Sequence, residues 1–310
     1  MNFTSPPLQL ETPVTGVLPR IKERGDESAK RRRRALKRVD SELAKGNLKT
    51  ALSLVKQLQG KPGGLRGFGA AKQVPKKQST LDNFEFNGNN LSSLRLLVDS
   101  VCSSIQTCIL QQQVSREEIG SLMCNESIHS SFEDYHFLCA QHEAGHFLVG
   151  YLLGVLPQDY IVPSVEELRT DDYAIGRVRF VGFDFLHEVG AAKMLPKNIT
   201  KGEINKGKIS SKTLNRFLCI ILGGLVAEHL AFGYCEGLHA DVDKLDRVFK
   251  WLGFTDSESR FQVRWAALNT IYILHRHREA TSRLVVAMAS GKSVGYCFDT
   301  IENAIYGNEI

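Results

Sequence analysis

Residues 130–153 read SSFEDYHFLCAQHEAGHFLVGYLL, a stretch whose apolar residues have the spacing of a long helix. Ser130 precedes Glu133 by three positions, which is the spacing of a capping box at a helix start. Gly154 follows Leu153, where a glycine commonly ends a helix. The pentapeptide HEAGH, residues 142–146, therefore lies inside a predicted helix.

The HEAGH pentapeptide has the spacing of a metal-binding pair. His142 and His146 are four positions apart, so a helix places both imidazoles on one face within reach of one ion. Glu143 then projects beside the water of a catalytic zinc, whose pKa falls to about 7 when it is bound. The alternative is a five-residue string that arose by chance and is exposed or satisfied in a core.

A catalytic zinc takes three protein ligands, so the sequence must supply one more. The candidates are Glu228, His229, His239, Asp241, Asp243 and Asp246, and spacing alone does not choose among them. Asp241 follows a loop with Gly237 and stands where a new helix begins. It would either point into the metal site or be an ordinary helix-start aspartate.

The body of the chain is predicted to be mainly α with a small β element. Helical spacing predicts helices at 91–113, 115–123, 211–232, 241–252, 257–289 and 295–305. Residues 160–162 and 177–181 are rich in residues that favour strands. The basic run at 275–278 is predicted to be a solvated helix face.

The N-terminal part is predicted to contain three segments before the body at 81–310. Residues 1–26 are predicted to be a disordered or targeting leader, and 27–59 a basic helical hairpin divided at Gly46 and Asn47. A single hairpin cannot bury a core, so it should pack on the body or on a partner. Residues 60–80 are rich in glycine and lysine, which predicts a flexible linker and a domain boundary.

Charge is divided unevenly along the chain. Residues 1–80 hold 18 Lys and Arg against 6 Asp and Glu, whereas residues 81–310 hold 21 against 28. The basic run at 30–38 has the composition of a patch for nucleic acid, for an anionic surface or for nuclear import, and also of a solvated helix face. It does not indicate a nucleic-acid enzyme, and no specific nucleic-acid partner is predicted.

The cysteines and the apolar runs indicate the kind of cellular compartment and whether the chain spans a membrane. The seven cysteines contain no C-x-x-C pair, which argues against a disulfide framework or a cysteine-rich zinc module and favours a reducing compartment. Apolar runs such as 217–227 fall short of the roughly 20 residues that cross a bilayer. We therefore predict a soluble or peripheral protein without a transmembrane helix.

Three ordered blocks resemble the peptidase domain of FtsH-type zinc metalloproteases. They are HEAGH at 142–146, LGGLVAEHLAFG at 222–233 and HADV at 239–242, and the resemblance covers roughly residues 130–310. It implies one zinc ion per chain, held by His142, His146 and Asp241, with Glu143 as the catalytic base. It also implies a helical peptidase domain whose edge strand, near residues 174–176, pairs with substrate.

The chain departs from that family in several places. It has no AAA ATPase module, because the SGKS at 290–293 and the glycines at 64–69 each lack a residue that a phosphate loop requires, and we predict no ATP binding. His229 stands where the family usually has a second acid, and Phe147 replaces a small residue. An insertion around 157–205 is expected to narrow or cover the cleft.

Three functions follow from these patterns. The first is a zinc endopeptidase that hydrolyses unfolded or flexible protein segments without an ATPase of its own. The second is a peptidase-like partner of an AAA protease or thylakoid-associated complex, with little activity alone. The third is a structural zinc domain or interaction scaffold. The arrangement is similar to plant FtsH-like proteins, which implies a plastid location.

Overall fold

The computed structural model describes residues 20–76, 91–117, 131–171, 174–193, 207–235 and 238–305. These residues form a mainly helical fold with one small sheet, as the sequence predicts. The elements are α1 Arg20–Ala44, α2 Leu48–Gln59, α3 Leu91–Glu117, α4 Phe132–Leu152, β1 Pro157–Ile161, α5 Val165–Thr170, β2 Arg177–Phe180, α6 Phe185–Lys193, α7 Ser211–Ile221, α8 Gly223–Phe232, α9 Leu238–Leu252, α10 Asp256–Arg276, α11 Arg278–Ala289 and α12 Val294–Ala304.

Helix α4 is the central element of the fold. Every residue from Leu138 to Leu152 is buried, and the helix packs against α7, α8, α11 and both strands. Its capping box joins Ser131 and Asp134, each of which bonds the other's backbone N–H. The predicted capping box of Ser130 and Glu133 is therefore wrong by one residue. Both pairs have the three-residue spacing of a capping box, so spacing alone did not distinguish them.

Helices α7 and α8 replace the single helix that was predicted for 211–232. The break falls at Leu222, before Gly223 and Gly224, and α8 packs against α4. A β-carbon at Gly145 would lie 2.2 Å from the carbonyl oxygen of Gly223, so the two backbones approach closely there. The apolar periodicity continues through the break, which is why the sequence does not reveal it.

The two apolar helices also bear on membrane insertion. Ser211–Phe232 is the one stretch within the described ranges that is long and apolar enough to span a membrane, and 72% of its apolar window is buried inside the fold. Burial of this extent is typical of a core helix in a soluble protein.

Strands β1 and β2 form an antiparallel pair with an irregularity between Pro157 and Asp159. The expected edge strand at 174–176 is not part of this sheet, because regular pairing begins at Arg177. At Gly176 the backbone instead passes close to the side chain of Glu143, where an added β-carbon would lie 2.6 Å from Oε1.

The predicted flexible linker is packed onto the body over its described part, residues 60–76. Leu65 and Phe68 are buried in the core, and the N–H of Gly69 donates to the carbonyl of Tyr151. The prediction of a flexible linker is wrong here because glycine and proline content indicates turns, which a packed loop also uses. Residues 77–80 lie outside the described ranges.

The N-terminal hairpin also packs on the body, as one of the two expected outcomes. Arg32 of α1 is buried and donates to Asp299 of α12 and to Asn303. Helix α1 begins at Arg20, so the last residues of the predicted leader are helical, whereas residues 1–19 lie outside the described ranges.

The predicted helix 257–289 is divided into α10 and α11 at His277. His277 is buried, and burial lowers the pKa of its imidazole from 6.5 to about 4, assisted by the neighbouring charge of Arg276. The basic run at 275–278 is therefore not a uniformly solvated face. The helix turns at His277, which directs the side chain inward.

Candidate metal centre

Three predicted ligands meet at one point between α4 and α9. Nε2 of His142 and Nε2 of His146 are 2.9 Å apart, and Oδ2 of Asp241 lies 3.0 Å and 2.9 Å from them. Helix α4 supplies both imidazoles from successive turns, and the first turn of α9 supplies the carboxylate. All three residues are buried, at 6–8% exposure.

The hydrogen bonds of the two Nδ1 atoms, which point away from the centre, define the tautomers of the imidazoles. Nδ1 of His146 is 2.7 Å from the carbonyl oxygen of Ile220, which can only accept, so this nitrogen carries the proton. The amide of Gly224 also approaches this nitrogen, at a longer 3.3 Å. Nδ1 of His142 donates to Oε1 of Glu228 at 2.5 Å. Both Nε2 atoms therefore present lone pairs to the centre.

This donor set fits a zinc ion. Two imidazole nitrogens and a carboxylate oxygen about 3 Å apart repel one another unless a proton or a metal cation lies among them. A triangle with sides of 2.9–3.0 Å has a point about 2.0–2.2 Å from all three atoms, which is the range of zinc bonds to nitrogen and oxygen. The same three residues are the group in the described ranges whose atoms could hold a metal.

Electrostatics at the centre favour ionised forms. Burial lowers the pKa of His142, but its hydrogen bonds to Asp241 and Glu228 outweigh that effect and raise the pKa to about 10. Burial raises the pKa of Asp241, but the two histidines hold it well below its usual value. The carboxylates of Asp241 and Glu228 thus favour a positive charge at His142, and a metal ion bound at the centre would take the place of the proton there.

Glu143 lies beside the triad without serving as a ligand. Its carboxylate is 4% exposed, and its Oε2 makes no hydrogen bond to any described residue. Burial raises the pKa of this carboxyl, although the two histidines oppose the shift. A buried carboxylate with an unbonded oxygen and a raised pKa is suited to accept a proton.

The remaining candidate ligands have other positions. Glu228 is fully buried and orients His142, a role that spacing alone did not distinguish from direct ligation. His229 lies near the thiol of Cys235 and is not part of the triad. Asp243 and Asp246 pair with arginine and lysine of α9. The structure describes the backbone of His239 but not its side chain.

A cleft of about 730 Å³ opens from the triad. Its apolar wall includes Phe180, Phe183 and Leu186 from the segment around β2 and α6, and Phe217 and Ile221 from α7. The described part of the predicted insertion at 157–205 thus forms one side of the cleft. Such a wall accommodates apolar side chains of a bound segment.

Comparison with known proteins gives no family for this chain. No family model matches it, and no curated protein matches it.

Proposed function

We propose that this protein is a zinc-dependent endopeptidase that hydrolyses peptide bonds of unfolded or flexible protein segments without an ATPase of its own. The proposal rests on the convergence of His142, His146 and Asp241 within 3.0 Å of one another, with Glu143 beside them. It agrees with the resemblance of three sequence blocks to the FtsH-type peptidase domain. The plastid location stays a prediction from that resemblance.

The chain's own residues supply binding and proton transfer. His142, His146 and Asp241 would hold the zinc ion, which when bound would supply a Lewis acid for a peptide carbonyl and lower the pKa of water. Glu143 accepts a proton from the attacking water on its free Oε2 and passes it to the leaving amine nitrogen. Glu228 and the carbonyl of Ile220 hold the imidazoles in the tautomer that presents Nε2 to the metal.

The cleft supports a protein substrate in extended form. Its apolar wall of phenylalanines beside the triad is suited to the large apolar side chains that folded proteins bury and unfolded segments expose. A globular substrate would not reach Glu143, which is 4% exposed. The site therefore selects unfolded segments over folded proteins as substrates.

A second candidate function is a partner-dependent peptidase, which two observations favour. The backbone at Gly176 lies against Glu143, so substrate must displace or follow this segment. Phe137, Phe232 and Tyr234 form a partly exposed row of rings beside the start of α4 and the end of α8. A partner that binds this row could open the cleft.

The experiment is casein cleavage by the purified zinc-loaded protein and by Glu143→Gln. We expect cleavage by the wild type, a loss of at least about 100-fold in Glu143→Gln, and unchanged zinc content. Glu133→Gln, at the exposed start of the same helix, is the matched control and should cleave normally. Zinc binding without any wild-type cleavage would favour the partner-dependent or scaffold role.

A further inference from the structure

Lys244 lies one turn after Asp241 on α9 and contacts its other oxygen. Nζ of Lys244 is 3.1 Å from Oδ1 of Asp241, while Oδ2 faces the two histidines. The lysine side chain is 46% exposed and lines the cleft, whereas that of Asp241 is 7% exposed. The carboxylate is therefore divided between an ammonium on one side and the metal centre on the other.

This contact differs from the other lysine pairs of the helices. Lys250 pairs with Asp246 on the same helix, and Lys45 pairs with Glu42 on α1. Neither of those carboxylates contacts a histidine or lines the cleft. Exposed pairs of that kind add little to stability. Only in the Lys244 pair does the carboxylate also take part in the candidate metal centre.

A carboxylate can bind a metal ion through one oxygen or through both. An ammonium bonded to Oδ1 occupies that oxygen and turns the carboxylate plane, so that Oδ2 alone reaches the point between the imidazoles. A tetrahedral zinc site takes one oxygen from such a ligand, whereas calcium takes six to eight oxygens and often both from one carboxylate. The charge of Lys244 offsets part of the negative charge that Asp241 and Glu228 bring to the centre, which by itself weakens the attraction of a cation. A net gain in zinc affinity from Lys244 therefore requires that its positioning of Asp241 outweigh this repulsion.

We propose that Lys244 is a positioning residue that makes Asp241 a single-oxygen ligand and thereby sets the zinc affinity of the site. This inference rests on the proposed zinc site. It concerns a residue that no motif of the sequence marks, because lysine three positions after aspartate is an ordinary helical pair.

Zinc affinity is the direct test, measured by competition with a chromophoric chelator on the full-length protein. Lys244→Met keeps the length of the side chain and removes its charge, and we expect zinc to bind about 10- to 100-fold more weakly. Lys244→Arg keeps a donor and should restore the affinity to within about threefold. Lys250→Met, which removes the matched pair on the same helix, should leave the affinity unchanged.

A spectroscopic readout separates positioning from a general loss of structure. With cobalt in place of zinc, the visible absorption reports the ligand geometry, and we expect it to change in Lys244→Met and to be retained in Lys250→Met. Melting temperatures of both variants without metal should agree with the wild type within a few degrees, because both lysine side chains are largely exposed to water.

The outcomes distinguish this inference from the proposed function. Zinc affinity and cobalt spectrum of Lys244→Met equal to those of the wild type would overturn the positioning role while leaving the zinc site intact. A wild type that binds no zinc would overturn both. Tighter zinc binding in Lys244→Met would also overturn it, because loss of the ammonium charge would then outweigh any positioning of Asp241. Equal weakening in Lys250→Met would overturn it as well, because the effect would not be specific to the Asp241 contact.

Discussion

At the scale of single residues, the least obvious member of the site is Glu228. It is fully buried, and it accepts the Nδ1 proton of His142. A negative charge there increases the basicity of the Nε2 that faces the metal. Glu228 of α8 thus supports a histidine of the proposed metal site on α4.

Glu228→Gln tests that role. The amide oxygen still accepts the His142 proton, but the charge is lost, so we expect zinc to bind roughly 10-fold more weakly in a folded protein. Glu302→Gln is the control. Glu302 is also a buried glutamate, but it accepts hydrogen bonds from Tyr151 and Gly67 rather than from His142. Equal zinc affinity in Glu228→Gln and wild type would contradict the assignment.

At the scale of elements, the site depends on the close crossing of α4 and α8. A β-carbon at Gly145 would meet the carbonyl oxygen of Gly223 at 2.2 Å and the β-carbon of Ala227 at 2.6 Å. Separation of the helices would also withdraw Glu228 from His142. Backbone contact at this crossing therefore holds the ligand in place.

Gly145→Ala should lower the free energy of unfolding by about 1–3 kcal/mol, because the added methyl group overpacks the crossing. Chemical denaturation measures the change. Gly190→Ala is the matched control: it lies in a helix with nothing within 4 Å of the added carbon, and we expect it to be neutral or to stabilise by up to about 1 kcal/mol. Equal free energies of unfolding for Gly145→Ala and Gly190→Ala would contradict this expectation, because the crossing would then have space for a methyl group.

The junction of α10 and α11 predicts a pH dependence. His277 is neutral in the folded protein because burial lowers its pKa from 6.5 to about 4. The unfolded chain binds a proton below about pH 6.5 and the folded chain does not, so stability falls as the pH decreases from about 6.5 to 4. The neutral form is thus the one that the junction accommodates.

Unfolding free energies at pH 7.5 and pH 5 test this account. Between these values the wild type should lose about 1–2 kcal/mol more than His277→Gln, whose side chain does not titrate. Subtraction of the two profiles removes the contribution of other groups. Parallel profiles would indicate that His277 is protonated in the folded state.

At the scale of the whole molecule, the N-terminal hairpin and the C-terminal helix stabilise each other. Buried Arg32 bonds Asp299 at 2.7 Å and Asn303 at 2.6 Å, and Asp40 accepts from the start of α12. Residues 60–76 connect this pair to α4. The hairpin therefore belongs to the core of the described structure.

Arg32→Met should cost about 1–3 kcal/mol, because the carboxylate of Asp299 loses its buried partner and keeps only its pair with the half-exposed Arg33. Arg31→Met removes an exposed pair with Glu27 and should change stability by less than about 1 kcal/mol. A thermal melt of each variant gives the comparison. Similar melting temperatures would mean that the hairpin contributes little to the fold.

The sequence predicts the regular parts of the molecule better than its junctions. Apolar spacing and caps locate most helices, and the HEAGH pair fixes two ligands because helical geometry brings residues four apart together. The choice of Asp241 over Asp243, and the role of Glu228, depend on how α8 and α9 cross α4, which local spacing does not encode. The breaks at Leu222 and His277 are concealed by continuous periodicity, and the packed loop at 60–76 has the composition of a linker.

The central claim is that His142, His146 and Asp241 together hold one zinc ion. Metal content by elemental analysis after dialysis against trace zinc tests it most directly. We expect one zinc per chain in the wild type and in Asp243→Ala, whose carboxylate pairs with Arg247, and less than about a tenth of that in Asp241→Ala. Full zinc content in Asp241→Ala, or none in the wild type, would contradict the account.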